Sequence, residues 1–270
     1  MSENITRILV ALVGAPLIFG ALYMGNIFFL IILGIIALVS QKEYYTLAFA
    51  KGLHPNRTVG QIFAVVILFS FYFHLESDLI NVLIFATIVS VFAEIYAKHD
   101  SPMLNSSLTL FSLIYPVTLI GTLYPLREID TTIHDIGFNL VLAIFLGVWL
   151  SDTAAYFFGK AYGKHKLIER ISPKKTWEGA IAGFSASLIS MFLMKQIGFL
   201  DSSYSIIDIF LFSIFTGIGG QFGDLFESMI KRDAGVKDSG SLLPGHGGML
   251  DRFDGILFAA PLTYIYMLLR

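Results

Sequence analysis

Apolar runs long enough to cross a bilayer recur from one end of the chain to the other, and no other feature restricts its fold as strongly. A membrane-spanning helix takes about 20 predominantly apolar residues, with a range near 17–25. Runs of this kind, punctuated by Gly, Pro, Asn and charge, fall near residues 5–23, 27–40, 59–75, 78–97, 107–125, 138–158, 177–195, 204–220 and 253–269. The second is short and is read as continuing through Lys42–Ala50 at the interface. The first lacks an A-x-A cleavage site before Gly25 and is followed at once by more apolar sequence, so it is expected to be a retained span. The expectation is an all-α, polytopic integral membrane helical bundle of about nine transmembrane helices. Pairs of small residues four apart, Gly179/Gly183 and Gly219/Gly223, suit close helix contact in lipid.

Composition supports lipid as the solvent. Apolar residues make up 56% of the 270 positions and charged residues 14%, against about 25% charge in a soluble domain. The surplus of Leu, Ile, Phe and Val has to face something other than water. There is no cysteine, which excludes disulfides and thiolate metal sites. The net charge of −2 carries no signal for nucleic acid, which is not expected among the partners.

Lys and Arg test the topology independently. With these spans, the amino terminus and the loops at 41–58, 98–106, 159–176 and 221–252 share one side, and fifteen of the eighteen Lys and Arg lie there. Only Arg127, Lys195 and Arg270 fall on the other. The positive-inside rule puts the rich side in the cytoplasm. The chain divides into an amino-terminal part, 1–136, holding spans one to five, and a carboxy-terminal part, 137–270, holding spans six to nine. The polar loops 159–176 and 221–252 belong to the latter.

Polar chemistry concentrates between Gly223 and Asp254. Asp224 stands at the mouth of a span, with Glu227 and Ser228 one turn on, and Asp251 and Asp254 are likewise one turn apart. Carboxylates on two segments, without cysteine, describe a hard-cation site. Mg²⁺ takes one or two carboxylates and completes its shell with water and substrate phosphates. Lys231, Arg232, Lys237 and Arg252 interleave with the acids, a mixture that suits a polyphosphate bridged by metal and clamped by cations. Gly247 and Gly248 beside His246 let backbone approach phosphate closely. A second cluster, Lys174, Lys175, Thr176 and Glu178, precedes the seventh span, and for its lysines alone a positive-inside anchor with interfacial Trp177 is the plainer reading. Asp152 lies within the sixth span, where a carboxylate needs a partner, a metal or a water-filled cavity. The remaining histidines, His54, His74, His99, His134 and His165, show no ligand spacing, and Glu94 is expected to end the fourth span and pair locally.

Ser228-x-Ile230-Lys231-Arg232, four residues, Lys237-Asp238-x-Gly240, two residues, then Leu243-Pro244-x-His246-Gly247-Gly248-Met249-x-Asp251-Arg252-Phe253-Asp254 resembles the signature of the phosphatidate cytidylyltransferases, or CDP-diacylglycerol synthases, without departure. Ser172–Gly179 and Ser151-Asp152-Thr153 resemble the same family, so the likeness runs from about Leu146 to the carboxy terminus. It implies a transfer of CMP from CTP to phosphatidic acid at the cytoplasmic face of the inner membrane, giving CDP-diacylglycerol and pyrophosphate for phospholipid synthesis. Mg²⁺ is the implied cofactor, with K⁺ as a second cation in some members. The implied partners are CTP, phosphatidic acid and membrane lipids, and a homodimer is allowed.

On this reading Asp224 and Asp251 are the direct metal ligands, with Asp254 and Asp152 as ligands or supports. Lys231, Arg232, Lys237 and His246 hold phosphates, and Arg252 braces a carboxylate. Lys174, Lys175, Thr176 and Glu178 close the pocket from the other loop, and Ser228, Gly247 and Gly248 contact substrate. Two other readings are weighed against this one. A CTP-using polyprenol or phytol kinase would move the γ-phosphate instead. A transporter would line a path with Asp152 and Asp224, but the polar residues crowd into one half of the chain rather than both.

Overall fold

The structure is a computed structural model that describes residues 3–129, 136–240 and 247–270, with side chains from Leu12 onward. The chain runs through α1 (Glu3–Met24), α2 (Asn26–Ala50), α3 (Arg57–Tyr72) and α4 (Leu79–Tyr96). There follow α5 (Pro102–Arg127) and α6 (Ile136–Tyr162), then a hairpin of β1 (Lys166–Ile168) and β2 (Ser172–Thr176). The last helices are α7 (Trp177–Gln196), α8 (Ile206–Asp233), the single turn α9 (Leu250–Phe253) and α10 (Ile256–Leu269). Among the described residues six helices are long and apolar enough to cross a membrane, and Leu12–Met24, Arg57–Tyr72 and Ile256–Leu269 are shorter apolar helices.

The outward surfaces of these helices are apolar. On α4 only Ala86, Ser90 and Glu94 are buried, while Ile80, Ile84, Phe85, Ile88, Val91, Phe92 and Ile95 stand exposed. A soluble protein does not present such a face to water, and lipid satisfies it without cost. The protein is an integral membrane protein.

Two compact units make up the chain, one of residues 1–125 with 230–252 and one of 126–229 with 253–270. They do not follow the linear division at 136/137, because most of the segment between α8 and α10 belongs with the amino-terminal helices.

In the first unit α2 packs against α3 and α5. Pro116 supplies no amide hydrogen, and the helix passes it as a π-helical segment, Leu113–Thr118. Beneath lies a polar knot in an otherwise apolar layer. Gln41 Nε2 donates to Ser112 Oγ at 3.0 Å and to Gly60 O at 3.2 Å, and Tyr45 Oη meets Ser112 Oγ at 2.6 Å. Partners of this kind are what a polar side chain needs to sit in a membrane interior.

In the second unit α6, α7 and α8 approach closely. A Cβ on Gly183 would lie 2.9 Å from Ser151 O, and one on Gly217 3.1 Å from Phe184 Cα. Ser187 Oγ meets Thr216 Oγ1 at 2.7 Å across the contact.

Three expectations need correction. The eighth span does not end among its glycines, because α8 continues through a π-helical segment at Phe215–Gly219 as far as Asp233. Those glycines admit neighbouring helices rather than breaking their own. Asp224, Glu227, Ser228, Lys231 and Arg232 are therefore helical residues, not loop residues. The polar segment 159–176 is not simply a loop, since α6 extends into it and an antiparallel hairpin, Lys166 paired with Thr176, fills the rest. Glu94 does end α4, but it is buried and its Oε2 has no hydrogen-bond partner.

Candidate active site

Charged side chains gather in two places, one within each unit. In the second unit a cavity of about 620 Å³ opens beside the hairpin. Asp152 and Asp224 line it together with Lys160, Lys166, Lys174 and Lys175.

The local sequence explains how these side chains are held. Thr176 ends β2 and caps α7, its Oγ1 accepting from Gly179 N–H at 3.2 Å. The cap fixes where the strand bearing Lys174 and Lys175 turns into helix. Glu178 in the first turn of α7 clasps the approach to the hairpin. It accepts from Lys164 N–H at 3.1 Å and from His165 N–H at 3.3 Å, and meets His165 Nδ1 at 2.6 Å. Lys166 Nζ donates to Pro173 O at 2.6 Å across the hairpin. The carbonyl and carboxylate partners leave the lysine-bearing strand beside the cavity with a defined path.

Lys175 Nζ forms an ion pair with Asp224 Oδ2 at 2.7 Å, and Ser228 Oγ, one turn along α8, donates to Asp224 Oδ1 at 3.3 Å. Asp152, Asp224 and Asp254 lie within mutual electrostatic reach. Asp254 Oδ1 accepts from Gly255 N–H at 2.7 Å. Gln221, which no sequence pattern marks, donates from Nε2 to Ala180 O at 3.1 Å and lines the same cavity.

Asp152, Asp224 and Asp254 supply hard oxygen donors beside the lysines of the cavity. Among the described residues no group of three or more His, Asp or Glu is arranged as a finished coordination cluster. Such a partial set fits Mg²⁺, which draws most of its shell from water and substrate phosphates, better than it fits a metal caged by protein alone.

The first unit holds the other cluster. Helix α8 ends in a Schellman turn, with Val236 N–H bonded to Lys231 O, Gly235 N–H to Arg232 O, and Gly235 at φ +72. The chain then reaches Ser239, which meets Asp251. Asp251 Oδ1 pairs with Lys231 Nζ at 2.5 Å. Its Oδ2 accepts from Ser239 N–H at 3.0 Å, Ser239 Oγ at 2.9 Å and Gly248 N–H at 2.7 Å. Both side chains of the Lys231–Asp251 pair are about nine-tenths buried. Gly247, at φ +81, carries the backbone around this carboxylate. The glycines thus wrap an anion, and in this structure it is the protein's own Asp251.

Of the other candidates, Arg232 Nη1 donates to Val236 O at 3.1 Å, Lys237 and Arg252 are exposed, and His246 lies outside the described residues. Glu43, on α2, was missed altogether. It is buried and accepts from Met249 N–H at 2.9 Å and Leu250 N–H at 2.8 Å. A carboxylate in the interfacial continuation of an apolar run is the one signal that marks it in the sequence.

A model of the cytidylyltransferase family matches residues 5–270. The phosphatidate cytidylyltransferase of Staphylococcus haemolyticus is 34% identical over 264 residues, covering 97% of this chain and 98% of that protein. That of Staphylococcus aureus is 33% identical with the same coverage. The chloroplastic phosphatidate cytidylyltransferase 5 of Arabidopsis thaliana is 34% identical over 281 residues, covering 93% of this chain and 68% of that protein.

Proposed function

The chain belongs to the cytidylyltransferase family, and on that premise we propose that it is a phosphatidate cytidylyltransferase, transferring CMP from CTP to phosphatidic acid with release of pyrophosphate. The observation that carries this reading is the cavity of the second unit, where carboxylates and four lysines converge. A site for a neutral lipid needs neither charge type, and one for a simple cation needs only the carboxylates. A polyphosphate handled with a metal needs both.

The reaction makes modest demands on acid–base chemistry. A phosphate oxygen of phosphatidic acid attacks the α-phosphorus of CTP and forms the new P–O bond. The bond from the α-phosphorus to the bridging oxygen breaks, and pyrophosphate leaves with that oxygen. The nucleophile is already anionic, so no strong general base is required. What the protein must supply is neutralisation and alignment of two polyanions.

Lys160, Lys166, Lys174 and Lys175 are suited to screen phosphate charge in the cavity, and Thr176 and Glu178 hold the strand that presents two of them. Asp224, with Asp152 and Asp254 beside it, is the proposed holder of Mg²⁺, which when bound neutralises phosphate oxygens and favours departure of pyrophosphate. Asp251 would join a cation only by exchanging its Lys231 partner. Phosphate contacts remain the proposed role of Lys231, Arg232, Lys237 and His246. The bias of Lys and Arg supports an active site on the cytoplasmic side.

The test is a reconstitution of purified protein with CTP, Mg²⁺ and phosphatidic acid, followed by mass identification of the products. CDP-diacylglycerol and pyrophosphate in equal amounts are expected. CDP with a newly phosphorylated lipid would instead identify a lipid kinase.

A further inference from the structure

We propose that Glu43, on the second helix and outside the signature of residues 228–254, is a positioning residue that sets the backbone on which Asp251 is held. This inference rests on the cytidylyltransferase reading for its kinetic consequence, but its geometry stands by itself within the first unit.

Glu43 lies on α2 about two turns before the helix ends at Ala50, and only 6% of it is exposed. Its two oxygens divide the work. Oε1 accepts from Met249 N–H at 2.9 Å, and Oε2 accepts from Leu250 N–H at 2.8 Å and lies 3.2 Å from Ser239 Oγ, whose single proton is shared between the two carboxylates. Leu250 is fully buried, so without a partner its amide would stand in apolar surroundings, where an unmade hydrogen bond is costly.

The signature is shaped around this carboxylate. A Cβ on Gly240 would lie 2.6 Å from Glu43 Oε1, and one on Gly248 2.5 Å from Glu43 Oε2. Two glycines of the motif are thus explained by a residue far upstream of it. Gly248 meets Glu43 on its Cα side and donates its N–H to Asp251 Oδ2. Ser239 Oγ lies between the two carboxylates, 3.2 Å from Glu43 and 2.9 Å from Asp251. The result is a continuous polar chain of Glu43, Ser239, Asp251 and Lys231. Its first member is anchored on a long helix rather than on a loop. A group that orients a functional side chain through such contacts typically changes activity about 10- to 100-fold when removed.

The experiment uses the full chain in detergent or nanodiscs and compares the parent with Glu43→Gln and Gly240→Ala. Gln keeps the size of Glu but turns an N–H₂ toward an amide hydrogen. Ala at 240 pushes on Oε1 from outside and leaves the donors to Asp251 in place. Hydrogen exchange over residues 247–253 should quicken in both variants. In the CDP-lipid assay kcat should fall about 10- to 100-fold while KM for CTP and for phosphatidic acid stays within about threefold. A purely structural role would lower the melting temperature and the folded fraction, with kcat per folded molecule unchanged. That outcome overturns the proposal, as does unaltered exchange at 247–253. If the parent itself makes no CDP-lipid, the functional reading fails, and the exchange measurement still decides whether Glu43 holds the loop.

Discussion

The two charged clusters handle their carboxylates in opposite ways. In the first unit Asp251 and Glu43 are enclosed, and their oxygens are taken up by backbone amides, Ser239 and Lys231. In the second unit Asp152 and Asp224 line an open cavity, and Asp224 is held by one lysine and one serine. Enclosed carboxylates of the first kind fix the backbone around Asp251 and are costly to neutralise, because a buried ion pair stripped of one partner leaves an uncompensated charge. Open carboxylates of the second kind contribute little to folding and remain available to a cation and to phosphate. Similar residue types in one chain thus serve separable purposes.

The sharpest way to break this comparison is to neutralise one carboxylate from each cluster. Asp251→Asn should remove nearly all CTP turnover and also lower stability by about 3–5 kcal/mol, since Lys231 is left buried without its counter-charge. Asp224→Asn should cost at least about 100-fold in turnover, yet change stability by no more than about 1 kcal/mol because its ion pair is part-exposed. Turnover assays beside thermal melts check both. Equal stability losses in the two variants would erase the distinction.

Lys175→Ala sharpens the cavity side. Loss of the ammonium should lower kcat/KM for CTP about 10-fold, read from initial rates across CTP concentrations. Thr176→Ala tests the cap that steers the strand into α7 and should destabilise by about 1 kcal/mol, visible as a lower melting temperature. The smallest effect is expected at Lys51. It pairs with Asp233 at 2.5 Å, but both side chains are well exposed, and exposed pairs are worth about 0–1 kcal/mol. Lys51→Ala should leave rate and melting temperature close to those of the parent.

Much of the fold was legible because lipid imposes one rule, long apolar helices, and that rule writes itself into the sequence without long-range information. The dense polar stretch between Gly223 and Asp254 likewise exposed Asp224, Lys231 and Asp251 as one set of charged residues. What stayed hidden depended on contacts between distant segments. Glu43 lies 196 positions from Ser239 and has no charged neighbour pattern that announces its partners. Gly217, Gly219 and Gly223 looked like the end of a span, since a glycine that breaks a helix in water and one that admits a neighbour in lipid are the same letter. The hairpin Lys166–Thr176 gave no strand signal, because its lysines and Pro173 interrupt any apolar alternation. Gly248 suggests a phosphate cradle, and only the folded chain brings two carboxylates against it.

The central claim is that the α-phosphorus of CTP is transferred to a lipid phosphate. Parallel reactions with CTP labelled at the α- or the γ-phosphate, phosphatidic acid and Mg²⁺ test it most directly. The account predicts α-label in a CDP-lipid and γ-label in pyrophosphate. Recovery of γ-label in the lipid would contradict it.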